Sequence, residues 1–194
     1  RRTGGPAPDP QTYPLSHALR LALQEPVASV NVTSHQTSYS FTTGMPVAFP
    51  SSFDLVYRVR PVAPRAHLFS VELTLVAPPA GPLTLSMPAW IPGSYMIRDF
   101  ARNLIGISAT DAAGHPLTLR KRDKQTWVCD DCSGRLTLSY QVFALELSVR
   151  AAHLDPTPGY FNGPGLLLAV QGLELRPCRI ELRPPDDADC RDWR

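Results

Sequence analysis

Arg98, Asp99, Arg102 and Asn103 follow a rigid apolar stretch, Trp90-Ile91-Pro92-Gly93-Ser94-Tyr95-Met96-Ile97, and the combination suits recognition rather than bond-making. A guanidinium offers paired N–H donors that match a carboxylate, so Arg98 and Arg102 are each suited to hold an acidic group. The plainer alternative is that Asp99 pairs locally with one of these arginines. Pro88, Pro92 and Gly93 exclude a regular helix or central strand here, yet the stretch is too apolar for an ordinary solvated loop. A second unusual loop, Asp155-Pro156-Thr157-Pro158-Gly159-Tyr160-Phe161-Asn162-Gly163-Pro164-Gly165, sets two aromatics among prolines and glycines. For both loops the bland alternative is a plug over one end of the core. The residues taken as substrate- or interface-facing are Tyr95, Arg98, Asp99, Asn103, Tyr160 and Asn162.

Catalytic patterns are missing. His17, His35, His67, His115 and His153 are far apart, and none stands four residues from another with a Glu between them, so the helical zinc-protease arrangement is absent. No Gly-x-Ser-x-Gly elbow occurs, and no Gly-rich phosphate loop. The carboxylate pairs Asp130/Asp131 and Asp186/Asp187 read as solvated turn or tail residues. Cys129-Asp130-Asp131-Cys132 resembles half of a zinc knuckle, but a structural site needs two more ligands, and Cys178 and Cys190 form no second knuckle. Two free thiols in a hairpin turn are the expectation; a Cys129–Cys132 disulfide is disfavoured in a reducing compartment. A domain stabilised by zinc on all four cysteines is the weaker alternative. No catalytic or metal site is expected in this chain.

These residues need a scaffold, and proline decides its class. The 21 prolines among 194 residues are about twice the usual share of roughly 5%, so few windows accommodate a long unbroken helix. The formal charge of +2 argues against a nucleic-acid partner, which calls for a concentrated basic face. No apolar run approaches the roughly 20 residues that span a bilayer, and no secretion signal opens the chain. A cytoplasmic location without membrane contact is expected.

Residues 1–46 read as a low-complexity, largely disordered extension, with a short marginal helix on Leu15, Ala18, Leu19, Ala22 and Leu23. Period-two alternation then sets in: Leu55, Tyr57 and Val59; Phe69, Val71, Leu73 and Leu75; Leu83, Leu85 and Met87; Leu136, Leu138, Tyr140 and Val142. After Val142 the phase slips by one, which predicts a bulge or sheet crossing that turns Phe143, Leu145, Leu147 and Val149 to the core. The run 166–170 reads as a continuous buried strand. About ten short strands imply an all-β fold, a two-sheet antiparallel β-sandwich over 47–185.

The 90–103 stretch, with Arg98-Asp99-Phe100-Ala101-Arg102-Asn103 at its end, resembles the signature of the glycyl aminopeptidase family of zinc metallopeptidases, whose members often carry a PDZ domain. Lys121-Arg122-Asp123-Lys124-Gln125-Thr126-Trp127 resembles a second block of that family. Tyr140-Gln141-Val142-Phe143-Ala144 with Ser148-Val149-Arg150 resembles a third, and Tyr160-Phe161-Asn162-Gly163 a fourth, in the family's order. The resemblance covers about residues 53–185 and concerns only the N-terminal β-sandwich of such enzymes. It implies a non-catalytic domain whose partner is its own C-terminal catalytic domain, which it supports while walling the substrate cleft. Peptide substrate would be met indirectly. Zinc is expected in that missing domain and no cofactor in this chain, and 186–194 is expected to be a truncated linker towards it. The alternative is an independent immunoglobulin-like module that binds peptide or glycan, since sandwiches of this kind serve many functions. An exposed apolar patch favours the first reading.

Overall fold

A computed structural model of the chain describes residues 54–185, together with the backbone of 29–33 and 36–40. The strands are β1 (Ser29–Thr33), β2 (Gln36–Ser40), β3 (Leu55–Ala63), β4 (Leu68–Leu75), β5 (Leu83–Ser86), β6 (Leu104–Asp111) and β7 (Pro116–Leu117). They continue with β8 (Leu119–Lys121), β9 (Thr126–Cys129), β10 (Leu136–Phe143), β11 (Ala152–Leu154), β12 (Gly159–Phe161), β13 (Ala169–Val170) and β14 (Cys178–Leu182). Eight form one sheet in the order β1-β2-β14-β3-β4-β10-β6-β7, four form a second in the order β13-β5-β9-β8, and β11 pairs with β12 as a ribbon. The fold is an all-β sandwich. Among the described residues helical geometry is confined to short 3₁₀ turns, and no helix is long and apolar enough to cross a membrane.

The alternating residues meet between the sheets. Val59, Val71, Leu73, Leu138, Tyr140 and Val142 of the large sheet pack with Leu83, Leu85 and Trp127 of the small one, all of them buried. Each fully buried aliphatic side chain contributes roughly 1.5–3 kcal/mol relative to exposure, so this face sets the register. Pairing is antiparallel except at β14, which lies parallel to β3 from Cys178 opposite Leu55 to Leu182 opposite Val59. Arg58 on β3 clamps that pairing: it bonds Glu181 at 3.0 Å and also pairs with Glu72 on β4.

Several expectations are corrected. β10 keeps one phase through Phe143, and the bulge lies in its neighbour β6, where the register shifts opposite Ser139 and Gln141. Gly106 adopts φ +61° there, a backbone geometry that glycine accepts without strain. Phe143, Leu145, Leu147 and Val149 do not turn inward but remain at the surface. The 166–170 run is strand only at β13; before it stands a 3₁₀ turn, Gly163–Gly165. Leu166 and Leu168 are nonetheless fully buried, because tyrosine hydroxyls replace the missing ladder. Tyr57 Oη donates to Leu168 O at 2.7 Å and Tyr140 Oη donates to Leu166 O at 3.0 Å, while Leu168 N donates to Tyr140 Oη at 3.1 Å. Burial pushes both phenols far above their ordinary pKa, so they act as neutral donors.

Cys129 and Cys132 are joined by a disulfide where the sequence suggests free thiols; the turn holds their Cα atoms 6.1 Å apart, within a disulfide's reach. Cys178 is free and exposed on β14, and among the described residues no three His, Cys, Asp or Glu side chains converge as metal ligands. Within the 1–46 extension the backbone forms β1 and β2, and β2 adjoins β14 at Thr37 opposite Leu182. The helix expected near residues 15–23 and the 186–194 linker lie outside the described residues.

Candidate functional site

One end of the sandwich gathers the unusual loops. The 90–103 stretch is pinned there by two buried side chains, Ile91 and Phe100, and leaves the residues between them outside. Its tight turn is closed by Ser94 N donating to Ile91 O at 3.2 Å and by Trp90 Nε1 donating to Ser94 O at 2.7 Å. Gly93 makes the turn with φ +79°, a left-handed conformation that costs other residues about 1–2 kcal/mol. Arg98 N then donates to Ala89 O at 2.6 Å, which folds the stretch back on itself. Tyr95, Met96 and Ile97 are thereby thrust into solvent, Ile97 being 71% exposed.

Beside them runs the segment after β10. Ala144 is buried and tied at both ends, its N–H donating to His67 O and its carbonyl accepting from Leu154 N, each at 2.7 Å. Beyond it Leu147 and Val149 are 76% and 81% exposed. Glu146 joins the two segments: Arg98 Nη1 donates to its Oε1 at 2.9 Å, and Arg102 Nη2 lies 3.6 Å from its Oε2. Between the segments lies an open groove of about 600 Å³, with Met96, Ile97, Phe143 and Leu145 as its apolar lining and Arg102 and Glu146 on its rim.

Of the expected residues, Arg98, Asp99 and Asn103 line this groove and Tyr95 stands fully exposed beside it. Asp99 does not pair with an arginine; its Oδ1 accepts from Lys124 Nζ at 2.6 Å. Tyr160 and Asn162 do not line the groove. Tyr160 stacks on His153, their ring centroids 5.8 Å apart, and Asn162 N donates to Ala151 O at 2.8 Å. The two loops still meet where Gly165 faces the Phe100 ring; a Cβ there would lie 3.6 Å from the ring, at ordinary van der Waals distance.

His153 is buried with both ring nitrogens near acceptors, Leu145 O at 3.3 Å and Asp155 Oδ2 at 3.1 Å. Hydrogen bonds from the Thr157 hydroxyl and N–H, with a smaller contribution from His153, hold the Asp155 carboxyl below the usual carboxylate range. These bonds fix the ribbon under the exposed segment; they assemble no nucleophile, base or metal.

The residues that sequence reasoning missed are Phe143, Leu145, Glu146, Leu147 and Val149. Their signal was the phase slip after Val142. Apolar residues out of phase with a buried strand face away from its core, which here means solvent. The result is an exposed apolar shelf of Tyr95, Met96, Ile97, Leu147 and Val149, with an arginine–glutamate clamp between its two segments. Exposed apolar side chains grouped on two linked segments are the kind of surface that marks a contact site.

The model of the peptidase M61 N-terminal domain matches residues 56–194. Among solved structures, an aminopeptidase N family protein from Idiomarina loihiensis is similar, with 39% sequence identity and a TM-score of 0.65. The match covers 68% of this chain and 22% of that one, so the chain spans only a small part of that protein's length. No curated protein matches the chain.

Proposed function

Because this chain belongs to the peptidase M61 N-terminal domain family, we propose that it is the non-catalytic sandwich of a glycyl-aminopeptidase-like hydrolase and docks on the catalytic portion through its apolar shelf. The observation that carries this reading is the exposure of Leu147 and Val149 beside Tyr95, Met96 and Ile97, at the end where the family-like loops meet. A domain that worked alone would gain nothing from so much exposed hydrocarbon. Docked, the shelf would bury it, with Glu146, Arg98 and Arg102 fixing the orientation of the two segments, and this end of the sandwich would wall one side of the peptide cleft.

Zinc, on this reading, belongs to the catalytic portion. The described residues of this chain do not fit a zinc site, having no converging donor set, and no step of the reaction is routed through them. Substrate peptide meets this domain indirectly. A cytoplasmic location is part of the same reading. Cell fractionation tests it: recovery of the full-length protein in the cytosolic fraction supports it, and recovery outside the cytosol counts against it.

The docking reading is tested by placing Leu147→Asp in the full-length peptidase and in this chain alone. The substitution should lower the melting temperature and kcat/KM of the full-length protein while leaving this chain's melting temperature unchanged. Equal effects in both, or none in either, would remove the shelf from the interface.

A further inference from the structure

We propose that the open edge of β6, over residues 104–108, takes an extended acidic peptide segment of another protein as a further strand of the large sheet. β6 pairs with β10 from Leu104 to Asp111, but with β7 only at Ala109 and Thr110. Ala109 lies opposite Leu117 of β7, and Asp111 N donates to His115 O at 3.0 Å, so alternate residues of β6 turn their backbone groups to that side. Ile107 is next in the series, and among the described residues no strand lies opposite it there. Unpaired edges invite strand addition, and proteins commonly blunt them with charge or proline. The neighbouring edges are blunted in that way, β7 opening on Pro116 and β8 carrying Arg120 and Lys121. Residues 104–108 read Leu-Ile-Gly-Ile-Ser, with neither charge nor proline, and Ile105 is 46% exposed. The bulge places Gly106 among them with open space where a side chain would stand, so a second backbone can come close. Around Gly106 the outer face dips into a depression of about 250 Å³ lined by Ser70, Ser108, Ser139 and Gln141. A side chain from an added strand reaches it across Gly106 and meets hydroxyl and amide donors.

Charge decides the chemistry of the partner. β7 passes through Thr118 into β8, and Lys124 Nζ donates to Asp99 Oδ1 at 2.6 Å just ahead of β6, so the 116–124 segment runs back alongside β6. That segment carries Arg120, Lys121, Arg122 and Lys124 against Asp123 alone. Arg120 is paired with Asp130, Arg122 with Asp123 and Lys124 with Asp99, whereas Lys121 has no carboxylate partner among the described residues. Lys121 lies opposite Trp127 in the β8–β9 register, and its Nζ stands 5.4 Å from the centre of that ring. Cross-strand neighbours share a face, and Trp127 belongs to the core. Lys121 therefore sits on the inward face of the small sheet's edge, on the side of the sandwich where β6 is open. A carboxylate carried by an added strand is matched there. The proposal is independent of the docking reading, because the shelf residues Tyr95, Met96, Ile97, Leu147 and Val149 lie outside 104–108.

The probe is a short fluorescein-labelled peptide amide of strictly alternating glutamate and valine, titrated with the 194-residue chain and read by anisotropy. Binding at sub-millimolar concentration is expected, at least fivefold tighter than that of the lysine–valine counterpart. Hydrogen exchange at Ile107 should slow at least fivefold in the complex, with the Asp111–Gly114 turn unchanged. The same peptide with every amide N-methylated keeps its charge but cannot pair as a strand, and it should bind at least fivefold more weakly. Lys121→Glu should weaken binding of the unmethylated peptide several-fold, and Lys121→Gln serves should the reversal not fold. Four results would each overturn the proposal: no binding at millimolar peptide, unchanged exchange at Ile107 in the bound chain, equal binding of the N-methylated peptide, or indifference to the Lys121 substitution.

Discussion

Arg98 Nη1 lies 2.9 Å from Oε1 of Glu146, a residue 48 positions further along the chain, and this contact joins two loops that no strand pairing connects. Arg98 is only one-fifth exposed, and its Nε is buried without a hydrogen-bond partner. The clamp therefore works under an existing desolvation cost, and its two partners respond unequally to removal.

Glu146→Ala strands a largely buried guanidinium, whereas Arg98→Met keeps the apolar stem and removes the unpaired Nε. Glu146→Ala should therefore destabilise more than Arg98→Met. A double-mutant cycle read by urea unfolding should give a coupling of about 1 kcal/mol, since Glu146 itself is one-third exposed and screened. A cycle with no coupling would mean that the Arg98–Glu146 contact does not hold the two loops together.

Glu181 ties β14 to β3. Burial works against its charge, but hydrogen bonding and attraction from Arg58, with help from Arg179 and Arg183, hold its carboxyl below the usual range. A depressed folded-state value contributes stability above the unfolded glutamate pKa of roughly 4.3, and that contribution is lost as the pH falls through the folded value. Glu181→Gln should cost about 1 kcal/mol at pH 7, and the difference from the unaltered chain should shrink towards zero as the pH falls below about 4. Unfolding curves at pH 7 and pH 3 measure both.

The Cys129–Cys132 bond closes a very short loop, and its two sulfurs belong to buried residues. Chain-entropy reasoning assigns such a loop about 2 kcal/mol. The paired substitution to serine should lower stability by that order, read as a shift in the thermal midpoint, and Ellman titration of the unaltered folded chain should leave the pair undetected.

Gly93→Ala forces a side chain into the left-handed turn that carries Trp90 and Tyr95. A loss of about 1 kcal/mol is expected, together with faster hydrogen exchange at Ser94, whose N–H closes the turn.

The sandwich was legible in the sequence because its core strands obey one rule: Leu55 to Val59, Phe69 to Leu75 and Leu136 to Val142 alternate, and the alternating side chains are buried. Leu166 and Leu168 carried the right burial and the wrong geometry. Their run lacks polar residues to show a period, and tyrosine hydroxyls from β3 and β10, more than twenty residues away, replace the strand partners. The site was legible in half. Proline, glycine and exposed aromatics singled out the 90–103 loop, while Leu147 and Val149 read as core because a phase slip gives no direction by itself. Lys124 as the partner of Asp99 was hidden for another reason, since a contact across two loops depends on how the sheets stack.

The most direct test of the docking account is hydrogen exchange over residues 94–98 and 143–150, compared between this chain alone and the full-length peptidase. Protection of both segments in the full-length protein, with the Asp111–Gly114 turn unchanged, is the predicted result. Identical exchange of both segments in the two proteins would contradict the account and leave the shelf to some other partner.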